Sequence, residues 1–128
     1  MKGMTELKLM QLRHEINTWK RLLGFMQEEN IHLKNRLSEV LKDRFNKNLL
    51  DTVECYQTIF IEDDELIILL KTKVTEVENS LLNSAVTDDN NKIVLDKKIE
   101  KIRKGIDEAE KKFTEVNNNF NKYLAENI

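Results

Sequence analysis

The chain has 128 residues, 34% of them charged and 40% hydrophobic, with three Gly, one Cys and no Pro. Hairpins and bulges are built largely from Gly and Pro, so this composition excludes sandwiches and barrels and points to long helices. Lys and Arg total 21 against 23 Asp and Glu, a formal net charge of -2, which leaves no basic field for nucleic acid or an anionic membrane surface.

The length suits a single domain with one continuous core. A lone cysteine, Cys55, excludes an intrachain disulfide and a multi-cysteine metal site, and fits a reducing compartment, so a cytoplasmic location is expected. The first residues, MKGMTELKLMQLRHE, hold no apolar run of signal-peptide length, and no later segment is apolar enough to cross a membrane. A soluble chain without membrane contact is expected.

From Leu9 onward, apolar side chains recur at alternating steps of three and four: Leu9, Leu12, Ile16, Trp19, Leu23, Met26, Leu33, Leu37 and Val40. This is the a/d pattern of a heptad, with Leu9 at a and Leu12 at d, interrupted only by Asn30 at an a position. It predicts a first helix over about 5–44. Beyond it the phase would place Arg44 and Lys47 in the seam. A turn is therefore expected at 45–48, with Asn48 and Asp51 as a capping pair for the next helix. The competing topology runs one helix straight through this point, in a swapped assembly.

The second series is Leu49, Val53, Tyr56, Phe60, Ile67, Leu70, Val74, Val77 and Leu81, with Asp63 at its one polar d position, and predicts a helix over about 49–84. AVTDDNNK then supplies turn formers, among them Thr87 and Asp88 as candidate caps. The third series, Leu95, Ile99, Ile102, Ile106, Ala109, Phe113, Val116, Phe120 and Tyr123, is uninterrupted and predicts a helix over about 91–126. The fold class expected is all-α: an elongated antiparallel three-helix bundle with coiled-coil-like heptad packing, spanning 1–128.

The three helices differ in what lies outside the seam. The third is polar there, with Lys97, Lys98, Glu100, Lys101 and Lys104 as a solvated face of mixed charge. The second is apolar nearly all round: Ile59 and Leu66 flank the seam at g, and Ile61, Ile68 and Leu69 lie at b and c. Two neighbours cannot cover that circumference. Covering a few Ile and Leu side chains at about 25 cal/mol per Å² contributes several kcal/mol, so a homodimer or higher oligomer is expected, with these five residues at the interface. Leu22, Phe25 and Leu41 of the first helix are candidates to join it.

Asn30 reads as a polar core residue that sets register, and Asp63 as its counterpart in the second helix. An uncompensated buried carboxylate shifts its pKa or seeks a cation, so the acidic run Glu62, Asp63, Asp64 and Glu65 supports an alternative reading as a metal-binding bundle or small enzyme. The Glu-x-x-His pairs of di-metal bundles are missing, and His14 and His32 lie about 27 Å apart along one helix, at about 1.5 Å per residue. Cys55 has no cation beside it to activate a thiolate, and no Gly-rich loop is present to cradle a phosphate. Gly24 and Gly105, isolated within helical patterns, suggest close helix approach or local relaxation. No enzyme activity and no cofactor are expected. The function that follows is a structural or protein-interaction module.

Overall fold

The computed structural model describes residues 6–43, 47–82 and 89–127, all of them helical. Helix α1 spans Glu6–Asp43, α2 spans Lys47–Leu82 and α3 spans Asp89–Asn127. With 38, 36 and 39 residues they run about 54 to 58 Å each at about 1.5 Å per residue. The bounds fall within two residues of those expected. Asn48 is a correction: it lies inside α2, behind Lys47, and not ahead of it as a cap. Arg44, Ser84, Thr87 and Asp88 lie outside the described residues.

Every a and d residue of the three series is buried or half-buried, and Leu124, just past the last d position, joins them in the core. Contacts between helices fix their register. Lys20 meets Glu78, Lys71 meets Gln27 and Lys34 meets Asp64, so α1 and α2 run antiparallel. Tyr56 packs on Phe120 at a centroid distance of 4.9 Å and Leu70 on Gly105, so α2 and α3 are antiparallel as well. α1 and α3 are therefore parallel, tied by Glu15 to Arg103 and by Arg36 to Asn121.

This register stacks the core in levels, each taking one seam residue from each helix. Leu23, Leu70 and Ile106 share one level, and Leu37, Tyr56 and Phe120 another. At one end Tyr56, Phe60, Phe120 and Tyr123 form an aromatic cluster, in which Phe60 and Phe120 meet edge to face at 5.1 Å and 87°. Near the middle, α2 and α3 approach closely at Gly105, where a Cβ would come within 3.2 Å of Leu70 Cδ2. Gly24 has open space around it, so close approach is not its role.

Candidate functional site: a polar level in the core and an apolar outer face

The two polar seam residues occupy the same level. Asn30 is 0% exposed and Asp63 5%, and the register sets both beside Phe113, between the levels of Met26, Ile67, Ala109 and of Leu33, Phe60, Val116. Asn30 Nδ2 donates to the backbone oxygen of Phe60 at 2.9 Å and to Asp64 Oδ1 at 2.6 Å. Lys34 pairs with the other oxygen of Asp64. Both amide protons of Asn30 are thus used on α2, which pins the two helices together and leaves Asn30 Oδ1 as a buried acceptor with no partner among the described residues.

Asp63 has no such neighbours. Lys112 on α3 holds its Nζ 3.8 Å from Asp63 Oδ1, beyond hydrogen-bond reach, on a side chain that is 51% exposed. Asp63 Oδ2 is buried and unpartnered among the described residues. Burial pushes the Asp63 carboxyl above its ordinary value; Lys112 opposes this, and the charges of Glu62 and Asp64 add to it.

The acidic run at 62–65 is divided among different faces of α2. Successive residues turn by roughly 100° around a helix. Asp63 accordingly points into the core, Asp64 engages Asn30 and Lys34, and Glu62 and Glu65 are exposed. Among the described residues no three His, Cys, Asp or Glu side chains converge as a metal site would need. His14, His32 and Cys55 are exposed.

The five apolar residues expected on the outside of α2 divide into two groups. Ile59 and Leu66 are half-buried against the core, where they widen the seam toward α3. Ile61, Ile68 and Leu69 are exposed at 48%, 56% and 49%. Ile61 and Ile68 sit at b, on the flank of α2 that borders α1. A shallow open depression of about 310 Å³ lies beside Ile68, lined also by Lys71, Thr72, Thr75 and Glu76.

The α1 residues expected to join this face behave differently. Leu22 is half-buried on the core, and Leu41 is exposed on the α2 side. Phe25 is exposed, but its c position lies on the flank of α1 that borders α3, since Glu15 and Arg36 on that flank reach α3. Ile31, 48% exposed at b, takes the place Phe25 was expected to fill. The register that sets Asn30 beside Asp63 puts Ile31 level with the Ile61 turn of α2, between the pairs Lys71–Gln27 and Lys34–Asp64. The shared b position was a signal in the sequence; which flank of α1 borders α2 was not.

No family model, curated protein or solved structure matches this chain. What its surfaces do must be read from its own residues: the fold defines an all-α three-helix bundle, and no described helix is long and apolar enough to cross a membrane.

Proposed function

We infer that this chain is a non-enzymatic structural or protein-interaction module, a coiled-coil-type bundle that assembles with a second copy of itself through the outer face of α2. The observation that carries this reading is the apolar row Ile61 and Ile68 on α2 with Ile31 opposite Ile61 across the α1–α2 groove. Exposed apolar side chains are ordinary singly; a row at one heptad position along one face is the pattern of an association surface. The groove between the rows is lined by two ion pairs, Lys20 with Glu78 and Lys34 with Asp64, and by Lys71 on neutral Gln27 between them. A second copy of a chain near neutrality docks there without net repulsion. Two-fold pairing is the commonest closed arrangement, and higher oligomers use the same face. The exposed free thiol of Cys55 suits a reducing compartment such as the cytoplasm.

Light scattering coupled to size-exclusion chromatography tests the reading. The wild-type chain elutes with at least twice the monomer mass at micromolar concentration, and Ile61→Lys combined with Ile68→Lys returns a folded monomer. A wild-type chain that stays monomeric throughout would overturn it.

A further inference from the structure

We propose that the Asn30–Asp63 level takes up a proton as the bundle closes, carried on Asp63, so that folding of this chain is linked to pH through one buried carboxyl. Two acceptor oxygens without a donor stand in the same level, Asn30 Oδ1 and Asp63 Oδ2. The orientation of the Asn30 amide is fixed, because its Nδ2 serves both the Phe60 carbonyl and Asp64, so Oδ1 cannot be exchanged for a donor by a flip of the amide. A buried oxygen left without a donor costs free energy, and a buried carboxylate charge costs more. One added proton removes the larger cost: it neutralises Asp63 and turns one of the two donorless oxygens of this level into an O–H.

The charged groups around Asp63 do not offer another solution. From α1, Lys34 is committed to Asp64. From α2, Glu62 and Asp64 add negative charge and oppose ionisation. From α3, Lys112 stands 3.8 Å from the other oxygen on a half-exposed side chain, too far to donate and too wet to compensate fully. In the unfolded chain Asp63 is a solvated aspartate of ordinary acidity, near pH 3.9. The folded chain therefore binds the proton more tightly than the unfolded chain does. Between the ordinary value and the raised one, folding gains a proton, and its stability falls as pH rises through that window, levelling off above it.

Asp63→Asn mimics the protonated acid in shape and carries no charge. Melting temperatures of wild type and D63N, measured in parallel from about pH 4 to about pH 8, are expected to differ little at the acid end and to diverge as pH rises, with D63N the more stable. The same comparison cancels the titration of every other group. Carbon NMR of the Asp63 carboxyl in the wild-type protein is expected to show a titration midpoint above that of an aspartate in the unfolded chain. A D63N advantage that does not change with pH, or an Asp63 midpoint at or below the unfolded value, overturns the proposal. The second result is the one expected if a trapped water donates to both oxygens.

Discussion

Gly105 lies against Leu70, close enough that a Cβ would stand 3.2 Å from Leu70 Cδ2, whereas a Cβ on Gly24 would meet nothing within 4 Å. The two helical glycines therefore separate backbone preference from packing. Ala is favoured over Gly in a helix interior by about 1 kcal/mol, so Gly24→Ala should raise the unfolding free energy by about that amount. Gly105→Ala should gain less or lose outright, because Leu70 is 4% exposed and has little room to yield. Denaturant titration of both variants checks this; an equal gain at both sites would show that α3 moves away from α2 freely.

Phe60 and Ile61 are neighbours in sequence with opposite environments, at 0% and 48% exposure. Phe60→Ala removes the ring that meets Phe120 edge to face and should cost about 3–5 kcal/mol. Ile61→Ala should change the stability of the isolated bundle by within about 0.5 kcal/mol. Chemical denaturation at protein concentrations low enough to suppress association distinguishes the two. A large loss for Ile61→Ala at such concentrations would mean that its side chain supports the bundle itself.

The polar level should cost stability and give specificity. Replacing Asn30 and Asp63 together by Leu removes one buried hydrogen-bonded amide and one buried carboxyl from an otherwise apolar core. The double variant should gain about 1–4 kcal/mol in unfolding free energy. It should also populate more than one assembly size, because nothing polar then marks the register. Denaturation and light scattering on the same samples read both effects. A double variant less stable than wild type would show that the level is a net source of stability.

Arg103 donates to both oxygens of Glu15 at 2.7 Å and to Glu100 at 2.6 Å, and these contacts, led by the hydrogen bond to Glu15, hold its guanidinium charged. The group is charged at every accessible pH, so this tie between α1 and α3 responds to salt and not to its own titration. Because the pair is largely exposed, Glu15→Gln should cost no more than about 1 kcal/mol, and the difference from wild type should shrink as salt is added. Melting curves at low and high ionic strength give the comparison; a loss indifferent to salt would assign Glu15 a role other than its charge.

The seam itself was legible in the sequence because one rule, alternating steps of three and four, decides which side of a helix is buried. Leu9 through Tyr123, every residue placed at a or d is buried or half-buried. Asn30 and Asp63 were legible as polar interruptions, but that they share one level was not. Their meeting depends on the register between α1 and α2, which the spacing within each helix does not set, and Asn48, expected before α2, lies within it. Ile31 and Phe25 show the same limit. Both are exposed apolar residues of α1, and only the hand of the bundle, set by which flank faces α2 and which faces α3, decides that Ile31 and not Phe25 lies beside the outer row of α2.

The pairs Lys20–Glu78, Lys71–Gln27 and Lys34–Asp64 recur at heptad spacing along the α1–α2 edge, with the cation changing sides at the middle pair. Suppose α2 slides by one heptad, the smallest shift that keeps every apolar stripe inward. In one direction Lys71 lands opposite Lys20, and in the other opposite Lys34. Either slip sets like charges together and also carries Asn30 away from Asp63, to the level of Leu70 in one direction and of Tyr56 in the other. A repetitive hydrophobic stripe tolerates many alignments; a charge reversal at its midpoint makes this one a stop in both directions, so the chain's length of identical-looking turns is read from its centre outward.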